Sequence, residues 1–254
     1  MATPLTAATL KQRHRKVRDG QPENWRIRIH RAISWLQRAE RESADDDARF
    51  LFLWIALNAA YAREFGFEQS ERDQARQFID RLIVHDREGR LQQILFDRFT
   101  GPVRTLLENR FVYEPFWRAL RDHDASNTWE VQFANARKLA MRALMARKTD
   151  VVLSIVADRL YVLRNQLMHG GATWNSDANR QQVRDAVAIL GALMPVIIDL
   201  MIEHPEPDES GITFPLLDAP RKIPKCAGAN ATGDVKHEKA PVGEGRGLPG
   251  SPRS

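Results

Sequence analysis

The stretch Phe50-Leu-Phe-Leu-Trp-Ile-Ala-Leu-Asn-Ala-Ala-Tyr61 decides the fold class of this chain. A helix of these residues is apolar on nearly every face, which predicts the central and most buried helix of a globular domain. Asp45, Asp46 and Asp47 come directly before it, and their carboxylates suit the positive end of a helix dipole. We therefore predict one helix that begins near Asp45 and ends near Gly66.

The segments on both sides of this helix also have helical periodicity. Before it, an apolar stripe of Trp25, Ile29, Ile33 and Leu36 predicts a helix over about 22–43. No Asn-Gly or Asp-Gly turn lies between alternating, strand-like segments. The remaining helices are predicted at about 71–85, 89–98, 102–109, 114–122, 128–148, 150–169 and 177–204. The helix over 128–148 has Val131, Leu139 and Met145 among its apolar positions, and the helix over 177–204 is expected to be kinked at Pro195. The fold class predicted is all-α, a helical bundle with additional short helices.

Composition divides the chain into three parts. Apolar residues make up 43% of the 254 residues, which is sufficient for a core. Residues 205–254 contain eight Pro and seven Gly with few large apolar side chains, which is typical of a disordered tail. We predict a flexible basic N-terminus over residues 1–21, a helical domain over 22–204 and the tail over 205–254.

The net charge of +5 lies in the first two parts, because seven basic and seven acidic side chains cancel in the tail. The basic residues are 30 Arg and 8 Lys, a bias that suits bidentate contacts to phosphate, although charge alone fits an Arg-rich surface without nucleic acid equally well. The single Cys226 cannot form an internal disulfide, and the His and Cys spacing does not match metal ligands. Neither a secretory signal nor an apolar run of membrane-spanning length is visible. A cytoplasmic protein without metal or cofactor is predicted.

One octapeptide carries the chemistry, Arg164-Asn-Gln-Leu-Met-His-Gly-Gly171. It places a permanent cation and a titratable imidazole near the end of one helix, which Gly170 and Gly171 are expected to terminate. Arg stabilises phosphate charge, and His moves protons near neutral pH. The pair points to phosphate-ester chemistry, most naturally on RNA.

The spacing alone has little specificity, because Arg118-Ala-Leu-Arg-Asp-His123 repeats it. Three features favour the later pattern. Asn165 follows Arg164 directly and lies four residues before His169, so its amide is placed to orient the imidazole or a phosphate. The helix dipole favours a protonated His169, and the glycines give a substrate access to the backbone. A capping His beside a surface Arg is the structural alternative.

The octapeptide resembles the signature of the HEPN superfamily, in which a polar residue follows an Arg and a His comes after four to six intervening residues. The central helix is similar to an early helix of the Apea-like HEPN branch, with Trp54, Asn58 and Tyr61 at corresponding places. The resemblance covers about residues 24–204. It implies a helical bundle, and many bundles of this superfamily are metal-independent ribonucleases that act as toxins, in antiviral defence or in RNA processing.

Carried over residue by residue, the resemblance implies that Arg164 and His169 are the catalytic pair and that Asn165 is the supporting polar residue. Asn58 and Tyr61 are candidates for residues that position the catalytic pair without touching the substrate, although polar residues on a buried helix more often have a structural role. Trp174, after the motif, is expected in the core or in an interface.

HEPN proteins generally form dimers in which the motif helices of two subunits face each other. Attack by the RNA 2′-hydroxyl needs a base, an acid and positive charge on the phosphorane, and one motif offers a single His. The resemblance therefore implies a homodimer with a composite site, which cuts RNA to a 2′,3′-cyclic phosphate and is open to restraint by an antitoxin. The alternatives are a non-catalytic HEPN module that dimerises and binds RNA, and a helical scaffold whose Arg-rich surface engages an acidic protein.

Overall fold

The computed structural model describes residues 4–61 and 71–207, and all regular structure within them is helical. The α-helices are α1 (Ala7–Val17), α2 (Glu23–Arg41), α3 (Asp46–Tyr61), α4 (Glu71–His85), α5 (Arg90–Gln93), α6 (Thr100–Glu108), α7 (Glu114–Arg121), α8 (Thr128–Met145), α9 (Thr149–Met168) and α10 (Arg180–Glu203). A π-helical turn, Ile94–Arg98, continues α5, and 3-10 turns occupy Arg18–Gly20, Arg110–Val112 and Asp177–Asn179. The predicted all-α bundle is confirmed.

Two predictions fall outside the described residues: the end of the central helix near Gly66 and the tail from residue 208 onward. Contacts group the chain into a unit Met1–Leu216 and a remainder, Leu217–Ser254, which the described ranges do not include. The description below concerns the first unit.

Helix α3 packs between α2 and α10, and these three helices form the centre of the core. The prediction that α3 is the most buried helix is wrong, because half of its residues are buried whereas two thirds of those in α10 are. One side of α3 carries Phe52, whose ring stacks on Trp35 of α2 at 5.9 Å and lies under the Arg38 guanidinium at 4.4 Å. Long side chains of α2, rather than a further helix, cover that side of α3.

The apolar character of α10 comes from its central position in the fold. Its segment Asp177–Glu203 is the one described helix long and apolar enough to cross a membrane, and 83% of the apolar window is buried inside the protein. A core helix of a soluble protein has these same properties. Helix α10 also runs through Pro195, which is buried.

The prediction of a flexible N-terminus is wrong where the structure describes it. Thr6 and Thr9 form a capping box at the start of α1, in which each hydroxyl accepts a hydrogen bond from the other residue's N–H, at 3.3 and 2.9 Å. Ala7, Leu10 and His14 then form the buried face of the helix at 3-4 spacing.

An ion network around the buried Asp199 ties α1 to the end of α10. The carboxylate of Asp199 accepts hydrogen bonds from Arg13 of α1 and from Arg90 of α5, the latter at 2.7 Å. Glu203, one turn later, accepts from the same two guanidinium groups at 2.8 and 2.9 Å. These contacts join residues far apart in sequence, and they order a segment whose basic composition favours disorder.

Three apolar positions of the predicted helix α8, Val131, Leu139 and Met145, are exposed. The residues that α8 buries are Ala140 and Ala143, whose small side chains allow close approach to neighbouring helices. Arg159 of α9 adds to this contact region. Its guanidinium lies 4.5 Å from the centre of the Tyr113 ring, and burial lowers its pKa.

Candidate functional site

The C-terminal end of α9 carries the motif, and it ends as the two glycines predict. His169 is the C-cap residue, and its N–H donates to the Asn165 carbonyl at 3.0 Å. Gly170 adopts the left-handed conformation with φ of 69°, which reverses the chain at low cost only for glycine or asparagine. A Cβ on Gly171 would lie 3.3 Å from the Gln166 carbonyl oxygen, so this residue allows the returning chain to pass close to the helix.

Arg164 is half-buried on the last turn of α9. One of its terminal nitrogens donates to the Asn165 side-chain carbonyl at 2.8 Å, and its guanidinium lies 5.8 Å from the centre of the Tyr161 ring. Its Nε is buried and has no hydrogen-bond partner within the described part of the chain. No carboxylate of the described residues forms an ion pair with it, so none of these residues neutralises the cation.

Of the two roles predicted for the Asn165 amide, orienting the imidazole or a phosphate, the structure does not show the first. The amide oxygen binds Arg164, and the contact between Asn165 and His169 is through the backbone. Asn165 therefore positions the guanidinium, and the His169 side chain is exposed at the helix end. A cation held by a neutral neighbour and an accessible imidazole are both available to a phosphate from outside.

Two carboxylates at the start of α3 hold the loop that follows the motif. Asp45 caps α3 through the Ala48 N–H at 3.0 Å and accepts the Trp174 indole N–H at 2.8 Å, and these bonds lower its pKa. Asp47 is buried and accepts the Asn175 N–H at 2.8 Å and the Arg180 guanidinium at 2.7 Å. Asp45 and Asp47 thus fix the motif loop against the central helix, a role that their position at a helix start does not reveal.

Trp174 does not lie in the core of this single chain, since 73% of the residue is exposed. Its indole N–H is fixed by Asp45, so the ring is held on the surface beside the motif loop. Met168, on the last turn of α9, is exposed as well. The end of the motif helix therefore presents apolar side chains next to His169.

The earlier pattern, Arg118 and His123, has a different environment. Arg118 forms an ion pair with Glu114, one turn earlier on α7, at 2.7 Å. His123 lies in an exposed turn after the helix, with φ of 51°. Its partner cation is neutralised, which distinguishes it from the later pattern and makes it a matched control.

Asn58 and Tyr61 are bonded to each other, with the Tyr61 hydroxyl donating to the Asn58 side-chain oxygen at 2.8 Å. Trp54 and Tyr61 line a small cavity together with Asp158 and Tyr161 of α9. The Tyr161 ring lies 6.1 Å from the Trp54 ring and 5.8 Å from the Arg164 guanidinium, so it connects α3 to the motif.

Two of the cavities that the described residues form are large enough for a ligand. The first, of about 1260 Å³, lies along α10 and is lined by four arginines, Arg49, Arg90, Arg98 and Arg184, but by no residue of the octapeptide. The second, of about 410 Å³, includes Gln166 and Gly171 of the octapeptide. The sequence did not predict either cavity, because each is assembled from separate segments.

Comparison with known proteins adds no family to this geometry: no protein-family model, no curated protein and no solved structure matches the chain. Among the described residues, no group of three or more His, Cys, Asp and Glu side chains is arranged to hold a metal ion. The described residues form an all-α bundle in which a half-buried Arg164 and an exposed His169 lie near the C-terminal end of one helix.

Proposed function

We propose that this chain is an endoribonuclease of the HEPN type, which cleaves RNA without a metal ion in a toxin or defence role. The observation that carries the proposal is the end of α9, where an Arg164 guanidinium without a carboxylate partner among the described residues lies on the same helix end as an exposed His169. A cation that is not neutralised by the protein is free to bind phosphate. An accessible imidazole can exchange protons near neutral pH.

The reaction assigns one role to each group. One His169 accepts the proton of the RNA 2′-hydroxyl, whose oxygen attacks the adjacent phosphorus. A second imidazole donates a proton to the departing 5′-oxygen, which breaks the P–O5′ bond and leaves a 2′,3′-cyclic phosphate. Arg164 neutralises the charge that develops on the phosphorane oxygens, and Asn165 holds its guanidinium in place.

A homodimer provides the second imidazole, because each chain has one such motif. Exposed apolar residues beside the motif, Met168 and Trp174, support a subunit contact at this surface. Twofold symmetry would bring the same surface of both chains together, so that two His169 and two Arg164 side chains form one site.

Cleavage assays on the purified full-length chain test the proposal. We expect His169→Ala to lower the rate about 10²- to 10⁴-fold through loss of proton transfer. Arg164→Ala should lower the rate about 10²- to 10³-fold through loss of charge stabilisation. Arg118→Ala and His123→Ala are the matched controls and should cut RNA at the wild-type rate. Products should carry 2′,3′-cyclic phosphate in the presence of a chelator, and expression should be toxic to cells only when the motif is intact.

Two results would contradict this mechanism: cleavage that occurs only with an added divalent metal ion, or normal cleavage by His169→Ala. Cytoplasmic location and control by an antitoxin belong to the same proposal. A protein that neutralises the toxicity of the wild-type chain should then lose its effect when the surface around His169 is changed.

A second candidate function is an RNA-binding module without catalysis, and the cavity along α10 that four arginines line favours it. Arg49 and Arg98 of this cavity form no ion pair with a carboxylate of the described residues, whereas Arg184 lies 3.8 Å from Asp46. Arg49→Gln and Arg98→Gln would then reduce RNA affinity and its salt dependence, since each lost phosphate contact lowers the slope of log K against log salt by about one. Cleavage that depends on His169 would exclude this candidate as the complete function.

A further inference from the structure

A cavity of about 410 Å³ lies next to the motif, within the range of roughly 300–1,000 Å³ that small-molecule sites occupy. All eleven lining residues are uncharged: Phe111, Val112, Trp117, Gln166, Gly171, Ala172, Thr173, Ser176, Ala178, Asn179 and Gln182. The polar ones are amides and hydroxyls, and two of the apolar ones are aromatic. This lining suits a flat, neutral ligand with hydrogen-bonding edges.

Two aromatic rings form one wall of the cavity, and both are partly exposed. The Phe111 and Trp117 centroids lie 6.4 Å apart. The Trp117 indole N–H and the Gln166 amide both donate to the Phe111 carbonyl, at 2.7 and 2.6 Å. The backbone of Phe111 is therefore fixed to the motif helix, and the wall is already ordered before a ligand enters.

The side-chain amide of Asn179 is the unexplained group of the cavity. Both its oxygen and its nitrogen are buried, and neither has a hydrogen-bond partner among the described residues. Burying an amide without partners is costly, so such a group requires an explanation. An amide offers one acceptor beside one donor, which is the pattern that reads the edge of a nucleobase.

We propose that this cavity binds one unstacked nucleobase of a single-stranded RNA, with the base against Phe111 and Trp117 and its edge on the Asn179 amide. The proposal rests on the proposed function, because it assigns the pocket to the same RNA that the motif cuts. Single-stranded RNA is recognised by stacking of splayed bases on aromatic side chains and by hydrogen bonds to their edges. The charged phosphate stays outside this uncharged cavity.

The position of the cavity agrees with that assignment. Gln166 lines it, and His169 follows three residues later on the same helix, a rise of about 4.5 Å. A base in the cavity would therefore have its neighbouring phosphate near His169, which lies on the same side of α9 as Gln166. The pocket would select the base next to the cleaved bond.

Binding measured without turnover tests this assignment. The protein is the full chain with His169→Ala, and the probes are fluorescein-labelled single-stranded RNA homopolymers of the four bases, duplex RNA and free nucleoside monophosphates. The pocket variants are Phe111→Leu, Trp117→Leu and the isosteric Asn179→Asp. Trp35→Leu is the control, because Trp35 and Trp117 are equally exposed, each at 37%, and Trp35 lies on α2 away from the cavity.

We expect Phe111→Leu and Trp117→Leu each to weaken binding of the preferred homopolymer about 5- to 150-fold, the contribution of one stacked base. Asn179→Asp should change the order of preference among the bases, since it replaces a donor by an acceptor. Duplex RNA and the Trp35→Leu control should show no such change. Thermal unfolding of each variant separates loss of the pocket from loss of the fold.

Pocket variants that bind every homopolymer as tightly as the control would overturn the proposal. Competition by a free monophosphate at the affinity of the strand would overturn the assignment to RNA and indicate a mononucleotide site. If the three substitutions, made in a chain that keeps His169, left the rate and base preference of cleavage unchanged, the pocket would be rejected and the ribonuclease would stand. Pocket-dependent binding by a chain that never cuts RNA would reject the ribonuclease and leave the pocket standing.

Discussion

Mixing wild-type and His169→Ala subunits tests whether two motifs form one active site. The structure places a single exposed imidazole at the end of α9, next to an Arg164 that bonds to its own Asn165. One chain of this kind offers one proton-transfer group, whereas cleavage by the 2′-hydroxyl uses a base and an acid. A dimer with one intact motif should therefore lack one of the two groups.

The expected activity follows from counting dimers. Random exchange of equal amounts of the two proteins converts half of the dimers to the mixed form and leaves about a quarter fully wild type. A mixed dimer lacks one imidazole and should lose about 10²- to 10⁴-fold in rate, so the mixture retains about a quarter of the wild-type activity. Two independent sites would retain about half.

A single-stranded RNA with a fluorophore and a quencher at its ends reports the rate, and two different affinity tags allow the mixed dimer to be isolated. His123→Ala mixed in the same way is the control, and this mixture should keep full activity. An isolated mixed dimer that cuts RNA at half the wild-type rate would refute the composite site. A chain that remains monomeric while it cuts RNA would refute it as well.

Three further predictions concern the fold that holds the site. Asp199→Asn should destabilise the protein by about 2 kcal/mol, and calorimetry should show an unfolding midpoint about 4–8 °C lower. The loss is smaller than the roughly 3–5 kcal/mol for breaking a fully buried ion pair, because Glu203 still pairs with Arg13 and Arg90. Burial lowers the pKa of His14 below its ordinary 6.5. As pH falls, His14 is therefore protonated in the unfolded chain before it is protonated in the folded one. The free energy of unfolding should decrease as pH drops through 6.5 toward the folded pKa. His14→Gln should reduce that loss, and an unchanged pH profile of urea unfolding would contradict the assignment. Gly170→Ala should cost about 1 kcal/mol because of its positive φ, whereas Gly170→Asn should cost less, and equal unfolding midpoints would show that the strain is relieved elsewhere.

Helix positions were predictable because their signals are local. The apolar stripe of α2 and the glycines after His169 each act within a few residues, and the structure reproduces both. The capping box of Thr6 and Thr9 is an equally local signal, and with it α1 could have been found despite the surrounding basic residues. Composition alone predicts disorder there, because it does not indicate which acidic side chain each basic side chain pairs with.

Long-range pairing was not predictable in the same way. Arg13 is ordered by Asp199, 186 residues later, and the motif loop is held by Asp45 and Asp47 from the start of α3. The exposed side of α8 shows the same limit, because Ala140 and Ala143 are buried while larger apolar residues on that helix are not. Periodicity indicates that a helix has faces, but the neighbours decide which face is inside.

The location of the catalytic candidates at one helix end has a consequence for control. His169, Met168 and Trp174 are exposed together, so the surface proposed to complete the active site is also the surface that a single chain leaves open. A half-site with one imidazole is inert in the composite mechanism, and dimer formation would therefore switch on the reaction. In the proposed mechanism the second subunit and the RNA both meet His169, so a protein that covers the end of α9 would block both at once. An antitoxin that binds this one surface would then be sufficient to restrain the proposed enzyme.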